Sequence, residues 1–184
     1  MTSSLANRGQ FAESVVESLH HNYLLQRRIT AALRLGPPGR IVGPIVRGVA
    51  PIVLLGPAPP DWLVRLTSGH VLVFDIKSHA GPRWPLAQIE PHQADHLDGF
   101  DPGGGNPHTS SAILLCLAGE WWWCPWRGAH SNGYHGIGAL YRDWRRDGGR
   151  KTRASLTTED LDSVGTHVGM GDWLGAACLA AGRG

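Results

Sequence analysis

Asp61-Trp62-Leu63-Val64-Arg65-Leu66-Thr67-Ser68-Gly69-His70-Val71-Leu72-Val73-Phe74-Asp75-Ile76-Lys77 is the stretch from which the fold is read. Two apolar, β-prone runs flank Thr67-Ser68-Gly69, the pattern of strand, tight turn, strand. Successive side chains of a strand alternate faces, so Asp75 and Lys77 project from the same one. Folding back near Ser68 sets Asp61 roughly opposite Asp75 or Ile76. Two carboxylates and one ammonium thus converge at the open end of a hairpin. That set is the minimum equipment for metal-assisted phosphodiester hydrolysis, in which carboxylates hold a divalent cation and a lysine orients water or offsets charge. By its residues alone, Asp61 reads first as a turn residue after Pro59-Pro60, and Lys77 can be a solvated strand end.

Working outward, Phe11, Val15, Leu19 and Tyr23 fall four apart and predict a helix from about Leu5 to Leu24 with that stripe packed inward. Gln26 to Leu35 reads as a strand or a further helical turn, ended by Gly36-Pro37-Pro38-Gly39. Ile41 to Leu55 is apolar and β-branched with Gly and Pro interruptions, an irregular hairpin or protruding arm. Downstream, Ile89 to Phe100 predicts a helix with Pro91 in its first turn. Asp101 to Pro107 is a Gly-rich loop, and Ala112–Leu117 and Glu120–Trp123 are strands. Thr157-x-x-Asp160 forms a capping box, and Asp172 is placed to cap a last helix ending near Ala181.

The 184 residues suit one domain, and 25 glycines and 13 prolines make it loop-rich without low complexity. Three cysteines, Cys116, Cys124 and Cys178, have no Cys-x-x-Cys rhythm, which speaks against a disulfide framework or a zinc ribbon and for a reducing compartment. The start of the chain lacks a signal-peptide pattern and Ile41–Leu55 is too short to span a bilayer, so a cytoplasmic protein is expected. Charge is uneven. From Ser18 to Pro60 there are five arginines and no acid; from Asp61 to Glu120 seven acids meet three bases; from Arg127 to Arg153 seven bases meet two acids. Basic flanks around an acidic middle suit a polyanion near a cation held by carboxylates, and equally ordinary solvated arginines. Only two of the 17 basic residues are lysines, Lys77 and Lys151, which draws attention to Lys77, since an ammonium is compact where a guanidinium is a planar fork.

Taken in order, Asn7-Arg8-Gly9 with Phe11 and Glu13, then Pro60-Asp61, then Phe74-Asp75-Ile76-Lys77, then Trp84-Pro85-Leu86 with Ile89 and His92-Gln93, resemble the motifs of RecU-type Holliday junction resolvases of the PD-(D/E)XK nuclease superfamily. The likeness runs from about Asn7 to Trp126. It implies an α/β fold, a restriction-endonuclease-like central mixed sheet flanked by helices, forming a single nuclease domain over residues 1–184. A stalk or arm would occupy residues 35–60 and C-terminal helices residues 154–184. The resemblance implies a homodimer that cuts four-way junction DNA with Mg2+ or Mn2+, without a nucleotide cofactor or a membrane. Asp61, Asp75 and Glu13 would be metal ligands, Lys77 the catalytic lysine and Gln93 an assisting residue. The sequence departs from the family at two points: Glu13 stands one position beyond the usual Phe-Glu pair, and Asp75 replaces a common glutamate.

Candidate DNA contacts are Arg8, Arg40, Arg47, His92 and the strip Arg142, Arg145 and Arg146, whose spacing of three and four suits phosphates or solvent alike. His92 and His96, four apart, also fit one edge of a zinc site, but no third ligand follows a recognisable pattern. Trp121-Trp122-Trp123 and Trp126 read as core or subunit interface before a base-stacking platform. Two other readings stand beside the resolvase: a catalytically silent junction-binding architectural protein, and a related nuclease acting on duplex or damaged DNA.

Overall fold

The computed structural model describes residues 3–36, 39–41, 52–54, 56, 58–100, 108–127, 136–148 and 154–181. Its framework is a six-stranded sheet in the order β1-β4-β5-β7-β8-β10, where β1 is Ile29–Arg34, β4 Trp62–Leu66, β5 Val71–His79, β7 Thr109–Leu117, β8 Glu120–Pro125 and β10 Thr166–His167. Strands β5 and β7 run parallel and every other neighbouring pair antiparallel, so the sheet is mixed. Two short ribbons lie outside it: β2 (Gly39–Ile41) with β3 (Ile52–Leu54), and β6 (Trp84–Pro85) with β9 (Ser155–Leu156). The β2–β3 pairing describes only the base of the expected arm. The rest of Ile41–Leu55, Arg47 included, lies outside the described residues, as do Lys151 and the Asp101–Pro107 loop.

Alternation along the strands divides the interior in two. Leu72, Phe74, Ala112, Leu114, Trp121 and Trp123 face α1 (Ser3–Leu25) and α5 (Leu174–Ala181). Ile113, Leu115, Leu117, Trp122, Cys124 and Trp126 face α2 (Pro91–Phe100), α3 (Ile137–Asp147) and α4 (Thr158–Val164). Helices on both faces explain why β7 and β8 are near-continuous apolar runs. The four tryptophans are at most 5% exposed, so they are core and cannot stack on bases.

The hairpin forms as the sequence predicts. Leu66 N–H donates to the His70 carbonyl at 2.8 Å, and Gly69 takes φ of +88°, a turn geometry that glycine adopts without steric cost. The capping box of Thr157 with Asp160 also follows the pattern, whereas α2 starts at Pro91, two residues later than expected, with the proline at its first position. Gln26–Leu35 resolves into strand β1. Asp172 serves another purpose than the expected cap: its carboxylate accepts a hydrogen bond from the Tyr23 hydroxyl.

The inward stripe of α1 is corrected by about one position. Phe11 is 64% exposed, whereas Ala12, Val16, His20 and Tyr23 are buried. The cause is the receiving surface: His20 inserts among Trp62, Phe74 and Trp173, with ring centroids 4.3–6.0 Å away. Burial in that aromatic box pulls its imidazole down to about 4 and keeps it neutral. We therefore expect Leu97→Ala, which empties a fully buried site under α2, to lower stability by about 2–5 kcal/mol, and Phe11→Ala to change it by no more than about 0.5 kcal/mol. Urea unfolding of the two variants measures both.

Candidate active site

The hairpin register decides the site. Trp62 pairs with Phe74, so the residue before the one faces the residue after the other: Asp61 stands opposite Asp75. Asp61 Oδ2 accepts a hydrogen bond from Ile76 N–H at 2.7 Å, which ties its carboxylate to β5. Leu35 N–H donates to the Asp61 carbonyl at 2.8 Å, so the end of β1 fixes the same residue from the other side. On β5, Asp75, Lys77 and His79 pair with Ile113, Leu115 and Leu117, which all face α2. Asp75 is 1% exposed, and Lys77 Nζ sits 2.7 Å from its Oδ2.

Helix α2 completes the group through Gln93. Its Oε1 accepts from Lys77 Nζ at 2.8 Å and from Glu90 N–H at 3.1 Å, while its Nε2 donates to Asp75 Oδ1 at 3.3 Å. Reversing the amide would set N–H against ammonium and carbonyl against carboxylate, so the carboxamide has one orientation. Sequence reasoning placed Gln93 near the site but missed the Glu90 backbone N–H that pins it. The signal was the first turn of α2, whose free N–H groups seek side-chain acceptors.

The two carboxylates are adjacent, Asp75 buried and Asp61 half-buried. Burial, followed by the charge of Asp75, raises Asp61 from its ordinary 3.8 to about 6, partly countered by the Ile76 N–H and by Lys77. Asp75 Oδ2 accepts no well-directed hydrogen bond, since its contact with Lys77 is ionic. Two carboxylates against one ammonium leave a net negative charge. A magnesium-type cation takes one or two carboxylates and completes its shell with water and phosphate oxygens, and this donor set fits such an ion. Asp61 and Asp75 would hold it, and it would supply charge neutralisation at a phosphoryl oxygen and a more acidic water. Lys77, fixed by Gln93 and Asp75, would direct its remaining N–H toward the negative charge that develops on a phosphate.

Glu13 is not brought to this pair. Its carboxylate pairs with Arg34 of β1. Arg34 lies in register with Trp62, on the face covered by α1, across the sheet from Lys77 and Gln93. Among the described residues no group of three His, Cys, Asp or Glu side chains is placed to share a metal, Glu13 with the two aspartates and the His92/His96 pair included. His92 neighbours Gln93 on α2 and contacts Glu90 at 3.3 Å. Arg142 donates to Asp98 at 2.8 Å, Arg146 pairs with Asp143, and Arg145 is exposed. The side chains of Arg8 and Arg40, and all of Arg47, lie outside the described residues.

Among solved structures the chain is similar to Hjc, a Holliday junction resolvase of the archaeal hyperthermophile Archaeoglobus fulgidus, with 14% identity over 82% of this chain and 92% of that one and a TM-score of 0.41. No protein-family model matches the chain, and no curated protein does.

Because the folded protein binds the Asp61 proton more tightly than the unfolded chain, stability is lost as pH rises from 3.8 through about 6, and the loss is complete above that window. Asp61→Asn keeps an acceptor for Ile76 N–H and removes the repulsion. We expect it to be more stable than the parent by on the order of 1–2 kcal/mol at pH 7.5, with the difference fading toward pH 4. Thermal unfolding of the two proteins across that range, without divalent cations, measures it.

Proposed function

We propose that this protein is a metal-dependent endonuclease of the PD-(D/E)XK kind that resolves four-way DNA junctions. The observation that carries this reading is the single network of Asp61, Asp75, Lys77 and Gln93 at the end of the central strands. Each of its four members also falls in one of the ordered motifs that resemble RecU-type resolvases. The junction as substrate rests on that motif order and on the apolar, Gly- and Pro-interrupted sequence of Ile41–Leu55, which reads as an arm. A junction presents two equivalent strands, so a homodimer with two-fold symmetry matches it and would make paired symmetric nicks that leave 5′-phosphate ends. Magnesium is the natural ion for so small a carboxylate set, with manganese able to replace it. Arg145, and the arginines of the arm, would neutralise phosphates on the flanks.

Lys77→Ala and Asp61→Asn should each lower cleavage of a labelled synthetic junction in Mg2+ by at least about a hundredfold while leaving junction affinity largely intact. Full activity in both would remove these residues from the reaction. Binding by the parent without any metal-dependent cutting would leave a silent junction-binding protein in place of a nuclease.

Deleting Ile41–Leu55 should weaken binding to the four-way junction more than to linear duplex of the same sequence. Equal losses in a competition assay would detach the arm from junction recognition, and a parent protein that prefers linear duplex would make the substrate ordinary DNA.

A further inference from the structure

His79 is the last residue of β5 and continues the alternation of Asp75 and Lys77 on the face toward α2. No motif in the sequence singles it out. Its ring is nevertheless fixed by a relay that starts in the core. The indole of Trp84, 0% exposed, donates from Nε1 to Gln88 Oε1 at 2.8 Å. An indole N–H can only donate, so the Gln88 carboxamide must turn its Nε2 outward, where it meets His79 Nδ1 at 3.2 Å. Nδ1 therefore accepts, and the ring proton sits on Nε2. No hydrogen bond of that nitrogen is found among the described residues, and His79 is only half-buried. Glycine at position 81 keeps its edge clear: a Cβ there would lie 3.1 Å from Nε2.

A buried tryptophan, a glutamine and a glycine thus hold one N–H donor in a set direction beside the catalytic face, an arrangement that suits a fixed acceptor better than bulk water. Strand geometry sets the Cα of His79 roughly 6.6 Å beyond that of Lys77, and Lys77 Nζ is turned back to Asp75 and Gln93, so the two donors serve different oxygens. We propose that His79 Nε2–H is a substrate contact that binds a backbone phosphate next to the reacting one, with Gln88 and Trp84 as its positioning residues. This rests on the nuclease reading above and adds to it a contact that aligns the strand on Lys77. A hydrogen bond to a charged oxygen, where the competitor is only water, corresponds to about tenfold or more in affinity.

The test is binding of the full chain, in EDTA, to a synthetic four-way junction and to a series in which single phosphates are replaced by neutral methylphosphonates. His79→Phe keeps the ring shape without the donor and should bind about tenfold more weakly. His79→Gln, whose amide nitrogen reaches the position of Nε2, should recover most of the loss. One methylphosphonate near the cleavage position should weaken the parent and leave His79→Phe unaffected. If His79→Phe binds the natural junction as the parent does, or remains sensitive at every position to which the parent is sensitive, the contact does not exist. If the parent itself shows no affinity for the junction, the nuclease reading falls and takes the contact with it.

Discussion

Asp61 and Asp75 repel one another, and the hairpin holds them together regardless. Asp61 is bound to its neighbour strand through Ile76 N–H, and Asp75 is buried against β7. Burial removes the water that would screen their charges, so Asp61 keeps its proton up to about 6. A fold selected for stability alone has no use for this pairing, because an apolar pair would fill the same space without the cost. Under the proposed function the pairing is a cation seat, and the surrounding contacts, from Lys77 to Gln93 to the Glu90 backbone, would hold it in one geometry.

The core serves this arrangement from both sides. The α1 side supplies Trp62 and Phe74, which lock the register that sets Asp61 opposite Asp75. The α2 side supplies Leu97 and Ala94, which hold the helix whose first turn orients Gln93. Asp98, near the end of α2, accepts from Trp126, Arg127 and Arg142, and these donors keep its carboxyl below the usual range although partial burial raises it. The helix is thereby anchored at both ends, so Gln93 is presented by a rigid element.

Much of this was legible in the residues because it is local. The Thr67-Ser68-Gly69 turn and the alternation on either side fix the hairpin register, and with it three of the four site residues. Thr157 and Asp160 announce a helix start for the same reason. What was hidden depends on partners distant in sequence. Hydrophobicity favours Phe11 over Ala12 and His20 as the inward residue, yet the aromatic box of Trp62, Phe74 and Trp173 accepts the imidazole and leaves the phenyl outside. The family resemblance implies Glu13 as a third carboxylate, whereas in the structure it pairs with Arg34 of β1. The roles of Gln88 and Trp84 could not be read at all, since they depend on which amide atom a buried indole faces.

The most direct measurement is the anomalous density of a crystal soaked in manganese with junction DNA bound. A peak beside the Asp61 and Asp75 carboxylates and close to a bound phosphate is expected, with the Lys77 ammonium turned toward that phosphate. Side chains pointing apart, and no anomalous peak between them in the DNA complex, would contradict it.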